Sequence, residues 1–312
     1  MTGGPHLPAG EPIIRQAIET SEGLALRAVS VVHSRVRRLA TLRMAISIII
    51  SGAGIAASFF DVPALPATIT GALWAVTYSG LIQRYVDRLL NTAAVLQEMF
   101  YVQLFQIPWN ASMAGDPLRT EDVRQLSRKY KGTDHALRDW YEMPNLPHPF
   151  NILVKERQNL AWGLRIRRRY AYAVTLFTGS WTLFGVTLGA VQQMPLTEIV
   201  LRWFVPSLGL LMLGFETCRE QFGIVAERNR LCGLVHESCA VAVRGPYDAK
   251  IVDQLTILAR QVEDVLFLTR RRAPRVPGRF FDHYYSVDRD DFEESVRQFK
   301  KILENSNWPR AA

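Results

Sequence analysis

Residues 172–191, YAVTLFTGSWTLFGVTLGAV, form a run of twenty residues without a charged side chain. A helix needs about 20 predominantly apolar residues to cross the hydrocarbon core of a bilayer. Four arginines lie shortly before the run, at Arg165, Arg167, Arg168 and Arg169, and basic residues of this kind flank a span on its cytosolic side. The stretch therefore predicts a transmembrane helix.

Three further segments predict spans by the same criterion: residues 44–60 (MAISIIISGAGIAASFF), 67–82 and 198–215. The connections after the first and third spans are too short to hold a folded domain, so the four spans form two hairpins. The fourth span contains Arg202, and Glu198 is one helical turn earlier, where it can form an ion pair with that arginine. We expect Trp203 at the same depth, at the interface between membrane and water.

The average composition hides these spans. The chain has 312 residues and a formal net charge of +8, and its mean hydropathy of +0.02 is that of a soluble protein. The charges are segregated between the apolar runs, and 31 of the 37 basic residues are arginine. Outside the spans, apolar residues recur at steps of three and four, which predicts amphipathic helices, and Pro108 is expected to end the helix that follows the second span. The sequence thus predicts an all-α membrane protein.

The distribution of Lys and Arg predicts the orientation of the chain. Basic residues are frequent before the first span, between the second and third spans, and after the fourth, and they are absent from both hairpin turns. By the positive-inside rule both termini and the central insert are cytosolic. The predicted division is a cytosolic N-terminal helix (1–43), a first transmembrane hairpin (44–82), a cytosolic helical insert (83–169), a second transmembrane hairpin (170–217), and cytosolic C-terminal helices with a tail (218–312).

The sequence does not contain the common catalytic motifs for phosphate loops, serine hydrolases or zinc proteases. The spacing of Cys232, His236 and Cys239 allows either a metal site or small side chains on a packed helix face, and we expect the second. Asp282 and His283 lie among tyrosines, where they could serve a hydrolase or cap a docked aromatic tail. We therefore expect no enzymatic activity, no metal and no cofactor.

Small and polar residues recur along the third span at steps of three and four, which places them on one face of the helix. They are Thr175, Thr178, Thr182, Gly185, Gly189 and Gln192. Such a face allows close packing against another helix, or it lines a wet pathway once several subunits assemble. Both interpretations stay open at this stage, and packing is the more common of the two.

Four short elements carry a resemblance to a known family. Residues 105–110 (FQIPWN) resemble the L-P-W-N element of the prokaryotic S-4TM family, and residues 127–131 (SRKYK) are similar to its Lys/Tyr run. Residues 139–141 (DWY) resemble its N-W-Y element, and residues 158–162 (QNLAW) before an R-R-R-Y sequence are similar to its entry into the third span. The order of the elements also agrees, with a hairpin, an insert, a second hairpin and C-terminal helices.

The resemblance implies a function. Members of this family are described as pore-forming effectors linked to second-messenger nucleotide synthases. For this chain that implies an effector of a bacterial anti-phage, abortive-infection system that binds a cyclic oligonucleotide, assembles as a homo-oligomer and permeabilises the inner membrane. Its partners would be the lipid bilayer and the nucleotide, and DNA is not expected. The alternative is a membrane-anchored sensor or scaffold whose cytosolic helices bind a protein partner.

The central insert contains side chains suited to a nucleotide ligand, because guanidinium groups bind phosphates and aromatic rings stack on bases. The candidates are Arg124, Arg128, Lys129, Tyr130, Lys131, Trp140 and Tyr141. The alternative is a solvated basic surface attracted to anionic lipids, which is worth about 1 kcal/mol per charge near the membrane.

Overall fold

A computed structural model describes residues 21–60, 63, 65–133, 143–272, 274 and 276–308. All regular secondary structure in these ranges is helical. The helices are α1 (Ser21–Phe59), α2 (Leu65–Thr77), α3 (Gln83–Phe105), α4 (Ala111–Ala114), α5 (Thr120–Ser127), α6 (Phe150–Val191), α7 (Leu196–Ile199), α8 (Leu208–Arg244), α9 (Ala249–Arg272) and α10 (Gly278–Glu304). A π-helical turn, Tyr78–Ile82, joins α2 to α3, and a second, Val200–Phe204, follows α7.

The hydropathy pattern is confirmed for three spans. Gly23–Ala56, Leu65–Phe105 and Phe150–Val191 are each long and apolar enough to cross a membrane. The fourth segment differs from the straight helix expected for residues 198–215, because Leu196–Phe204 and Leu208–Arg244 meet at a bend of 73°. We call residues 44–82 and 172–215 the membrane part, and the other described residues the helical bundle.

The long helices continue from the membrane part into the bundle without a break. α1 has 39 residues, α6 has 42 and α8 has 37. Each is thus far longer than the 20 or so residues that a bilayer requires. α6 and α8 pack against each other, and α1 packs against α3 and α5. The bundle is therefore attached to the membrane part by continuous helices rather than by flexible linkers.

The core of the bundle forms where the amphipathic faces meet. Phe100, Phe105 and Phe150 are among the largest side chains of the protein that are almost completely buried. The C-terminal Trp308 is also buried, and its indole Nε1 donates to the carbonyl oxygen of Ala242 at 2.9 Å. As the sequence predicted, α3 ends before Pro108, and Gln106 takes up a left-handed conformation with φ 55°.

The membrane part has the opposite pattern of exposure. Large apolar side chains point outward there, with Leu73 63%, Val76 72% and Leu176 72% exposed. Several polar side chains lie inside, including Ser47, Ser51 and Ser207. Outward apolar side chains suit a lipid solvent, which has no water to hydrogen-bond polar groups.

Candidate functional site

The fourth segment is broken at a proline. Pro206 has no N–H, so it cannot donate to a carbonyl in the preceding turn. In a π-helical turn the carbonyl of each residue accepts from the N–H of the residue five positions later. The Val200 carbonyl accepts from the Val205 N–H in this way, at 2.9 Å. Pro206 occupies that position for Leu201, and the hydroxyl of Thr68 donates to the Leu201 carbonyl at 2.7 Å instead. A side chain of α2 therefore satisfies the backbone group that the break releases.

Two glycines of the first hairpin lie against this break. A Cβ atom at Gly54 would be 2.5 Å from the Cβ of Pro206, and one at Gly71 would be 2.8 Å from the Cα of Pro206 and from the carbonyl oxygen of Val205. Real Cβ atoms do not come this close, so both positions depend on the absence of a side chain. We call Gly54 and Gly71 the glycine seat of Pro206.

Two tryptophans of the membrane part donate hydrogen bonds to buried serine hydroxyls. The indole Nε1 of Trp74 donates to Ser47 Oγ at 3.0 Å, and that of Trp181 donates to Ser207 Oγ at 3.1 Å. Because both serines are buried, their hydrogen bonds avoid the cost of an unpaired polar group in an apolar environment. The first bond joins α2 to α1, and the second joins α6 to the break in the fourth segment.

The polar face predicted on the third span lies against the fourth segment of the same chain. Thr175 Oγ1 is 3.1 Å from Cys218 Sγ, and Gly214 lies against the side chain of Thr178. Further along, Gly185 lies against Trp203 and Gly189 against Ile199. Thr182 donates to the Thr178 carbonyl within the helix, and Gln192 is exposed beyond the end of α6.

These contacts show where Trp203 packs and confirm one expected ion pair. Trp203 is only 2% exposed, and Gly185 leaves space for its ring, so the ring packs against protein and does not face the lipid. The depth of Trp203 in the membrane stays a prediction. The ion pair expected between Arg202 and Glu198 is confirmed at 2.7 Å. Whether the polar face also lines a pathway in an assembly stays a prediction.

The predicted nucleotide-binding residues lie on and after α5. Arg124, Arg128, Lys129 and Lys131 have exposed side chains. Tyr130 is half-buried against the bundle core, and its hydroxyl donates to the Thr133 carbonyl at 3.1 Å, so part of its ring is used in packing. Trp140 and Tyr141 lie outside the described residues.

A charged cluster inside the bundle was not predicted from the sequence. Glu98 of α3 accepts from Arg260 of α9 at 2.6 Å, and Glu263 accepts from both terminal nitrogens of Arg270. Glu98 and Glu263 are at most 1% exposed. We call Glu98, Glu156, Glu263, Arg260 and Arg270 the charged core. A buried carboxylate is stable only with compensating partners, and for Glu98 and Glu263 these partners come from arginines of α9.

The third acid of the charged core has no such compensation. Glu156 of α6 is completely buried, and neither of its carboxylate oxygens has a hydrogen-bond partner among the described residues. Burial, and then the charge of Glu263, raise the pKa of Glu156 well above its ordinary value. Burial followed by Glu263 also raises the pKa of Glu98 to about 7. Burial therefore favours the protonated form of Glu156, and the pKa of Glu98 lies near neutral pH.

The family-like motifs connect to this charged region. The Pro108 carbonyl accepts from Arg260 Nη1 at 3.0 Å, and the Asn110 amide donates to Asp264 at 3.0 Å. From the motif that precedes the third span, Trp162 stacks on Phe281 with ring centroids 5.7 Å apart. In this structure the motif residues thus hold α9 and α10 against the helices that lead into the membrane.

One arginine crosses from α8 to α6 at a glycine. Arg228 donates to the Asn159 carbonyl at 3.0 Å and to Thr269 Oγ1 at 3.2 Å. A Cβ atom at Gly163 would overlap Arg228 Nη1, so only glycine leaves room for the guanidinium. Burial, and then the charges of Arg167 and Arg270, lower the pKa of Arg228 to about 9, which leaves it charged at neutral pH.

The remaining candidates are dispersed. Cys232 and Cys239 face the packed side of α8 while His236 is exposed, and the described residues contain no group of three metal-binding side chains that could hold an ion. Asp282 and His283 are exposed on α10. Asp288, on the same helix, is buried and accepts from Arg169 at 3.0 Å.

Comparison with known proteins places the chain in a family. Residues 11–299 match the SMODS-associating 4TM effector domain. A probable CBASS effector molecule from Bacillus cereus strain VD146 is 25% identical over 293 residues, which cover 90% of this chain and 95% of that relative. No solved structure is similar enough to count as a match. Because the match covers almost the whole sequence, the chain belongs to the family of SMODS-associating 4TM effector domains.

Proposed function

We propose that this protein is an effector of bacterial anti-phage defence that permeabilises the inner membrane when its helical bundle binds a cyclic oligonucleotide. The family and the similarity to a probable CBASS effector support the defence role. The observation that carries the permeabilising role is the broken fourth segment on its glycine seat. Irregular backbone at membrane depth is tolerated only where it is buried in protein or lines a water-filled cavity.

The break has the features of an element that can change position. It is held by the contacts of Gly54 and Gly71, by the hydrogen bond from Thr68, and by the hydrogen bond from Trp181 to Ser207. These interactions keep the buried serine hydroxyls and the carbonyl groups at the break away from water. Breaking one hydrogen bond and one glycine contact costs a few kcal/mol, and a ligand of differential affinity can supply a shift of that size.

The continuous helices provide the connection between ligand and membrane. Arg228 fixes the register of α8 against α6 at Gly163, and both helices continue into the membrane part. A nucleotide that binds the basic residues on and after α5 would bias the packing of α1, which contacts α5. The proposed ligand contacts are Arg124, Arg128, Lys129 and Lys131.

We further propose a homo-oligomer in the inner membrane with both termini cytosolic. In one protomer the polar face of the third span contacts the fourth segment, so a conducting path requires several copies or a rearranged fourth segment. The protein acts without an enzymatic step in this proposal.

Dye leakage from liposomes tests the proposed function. Purified full-length protein is reconstituted and exposed to a panel of cyclic di- and trinucleotides, with binding of each nucleotide measured separately. We expect leakage with at least one nucleotide and none without. A nucleotide that binds without causing leakage would overturn the permeabilising role and favour the scaffold.

Glycine variants test the role of the break, and the chain offers matched controls. Gly54→Ala and Gly71→Ala place a methyl group against Pro206, whereas a methyl group at Gly52 or Gly80 would have no atom within 4 Å. We expect the first two variants to leak without a nucleotide, and Gly52→Ala and Gly80→Ala to behave like the wild type. Equal leakage from all four variants would remove the break from the mechanism.

A further inference from the structure

A pocket of about 290 Å³ lies between the two hairpins, at the end of the membrane part where both turns occur. Leu65 and Thr68 at the start of α2 form one wall. The other wall belongs to the second hairpin, with Pro195, Thr197, Glu198, Leu201 and Arg202. The pocket therefore lies between the two hairpins, at the end of the membrane part where the predicted topology places lipid headgroups.

The pocket combines charges of both signs with an apolar rim. The Glu198 carboxylate and the Arg202 guanidinium are 2.7 Å apart, and their side chains are 33% and 26% exposed. Leu65 and Leu201 are exposed at the rim, and Leu196 lies beside it with 76% exposure. An amphipathic molecule whose polar end carries both charges is complementary to this arrangement.

We propose that this pocket binds the phosphoethanolamine headgroup of a zwitterionic phospholipid. The Arg202 guanidinium faces the phosphate, because guanidinium groups hydrogen-bond phosphate oxygens. Glu198 accepts hydrogen bonds from the primary ammonium, and the acyl chains follow the exposed leucines into the bilayer. A choline headgroup has no N–H to donate to Glu198, and an anionic glycerol headgroup brings no cation to it.

The position of the pocket gives a bound lipid an effect on the fourth segment. Thr68 and Leu201 line the pocket and are joined to each other by the 2.7 Å hydrogen bond at the break. A headgroup in the pocket therefore holds α2 against the fourth segment and favours the closed arrangement. This last effect rests on the proposed permeabilising function, whereas lipid binding itself does not.

Lipid retention measured by native mass spectrometry tests the site. Full-length protein is released from nanodiscs that contain equal amounts of phosphatidylethanolamine, phosphatidylcholine and phosphatidylglycerol. We expect phosphatidylethanolamine to be enriched about tenfold over the other two lipids in the wild type. An affinity difference of about this size corresponds to one additional charge-assisted hydrogen bond. Glu198→Gln should reduce the enrichment to about twofold or less, since a neutral amide weakens the contact with the ammonium.

A second ion pair is the control. Arg219 and Glu220 lie 3.1 Å apart on α8, away from the pocket, so Glu220→Gln should leave the enrichment unchanged. Equal retention of the three lipids, a preference for phosphatidylglycerol, or full enrichment in Glu198→Gln would each overturn the proposal. Retention requires no leakage, so failure of the permeabilising function would leave this test intact.

Discussion

Arg43 and Glu216 form an ion pair of 2.8 Å between residues 173 positions apart in the sequence. Arg43 is the last residue before the first span and only 7% of its side chain is exposed. Its guanidinium also lies 3.8 Å from the centroid of the Tyr78 ring, at the end of the second span. One cation thus joins the ends of three membrane segments where they enter the bundle.

Loss of this pair should destabilise the protein. We expect Arg43→Gln to lower the free energy of unfolding by about 2 kcal/mol, because a hydrogen bond to a partly buried charged group is lost. A double-mutant cycle with Glu216→Gln, measured by denaturant unfolding in detergent, gives the coupling free energy between the two side chains. The exposed pair Arg219–Glu220 is the control and should couple by less than about 1 kcal/mol. Equal coupling for both pairs would contradict the joining role of Arg43.

Gly163→Ala should weaken the packing of α6 against α8. The added methyl would overlap the Arg228 guanidinium, so the arginine must give up its bond to the Asn159 carbonyl. We expect a loss of about 2–3 kcal/mol in the free energy of unfolding, the cost of an unpaired buried charged group. Gly223→Ala and Gly233→Ala on α8 have open space and should stabilise the helix by up to about 1 kcal/mol. The prediction is wrong if all three variants have the same melting temperature.

The stability of the bundle should fall as the pH rises. The folded state raises the pKa of Glu98 to about 7, from an ordinary value of 4.5, and raises that of Glu156 in the same direction. The folded protein therefore binds more protons than the unfolded chain above pH 4.5, and its stability decreases as the pH rises through about 7. Unfolding curves between pH 5 and 8 measure this slope.

Glu156→Gln should reduce the slope of stability with pH. A neutral amide resembles the protonated carboxyl group that burial favours, so the variant should match the wild type near pH 5 and exceed its stability at pH 8. Glu237→Gln on the exposed side of α8 is the control and should keep the wild-type slope. A Glu156→Gln variant that is less stable at pH 8 would show that the carboxylate form is required.

Thr182→Leu should abolish nucleotide-dependent leakage while it leaves membrane insertion intact. A leucine adds apolar surface, which favours insertion but removes a hydroxyl from the polar face of the third span. Thr187→Leu makes the same change at an exposed position of α6 and should leave leakage unchanged. Leakage from liposomes together with resistance to carbonate extraction measures both effects, and undiminished leakage from Thr182→Leu would exclude a pathway along this face.

Reporter fusions should place both hairpin turns outside the cytosol. The turns at residues 61–66 and 192–195 contain no Lys or Arg, so the positive-inside rule directs them outward. We expect periplasmic activity from fusions at both turns and cytosolic activity from a fusion after residue 308. Cytosolic activity at residues 193–195 alone would mean that the third segment re-enters and the fourth does not span.

The spans can be predicted because hydropathy is a local property. The twenty uncharged residues 172–191 determine a membrane helix wherever they pack, and the pairing of Glu198 with Arg202 is predictable because i and i+4 positions are neighbours on any helix. The bend is not among the predicted features, although its signal, Pro206 inside an apolar segment, is present in the sequence. Proline alone does not indicate how large a bend will be or what will fill it.

The contacts between distant segments cannot be predicted from one sequence. In the sequence Gly54 is simply a small residue in an apolar helix, and only the structure shows that Pro206 lies against it. Glu98 and Glu263 are 165 positions apart, and each alone resembles a solvated acid on an amphipathic helix. Their burial follows from the packing of α3 and α9, which depends on the whole bundle and not on local periodicity.

The uninterrupted helices limit how such proteins can exchange their parts. α6 continues from the bundle into the membrane, so one residue inserted between Arg167 and Tyr172 would rotate everything beyond it by about 100° and advance it by about 1.5 Å. That rotation would turn the polar face toward lipid. A new sensor grafted onto this membrane part must therefore keep the rotational phase of the helix, so the number of residues added or removed at the junction should be close to seven or eleven. Recombination at arbitrary positions would give chimeras that insert into the membrane but are inactive.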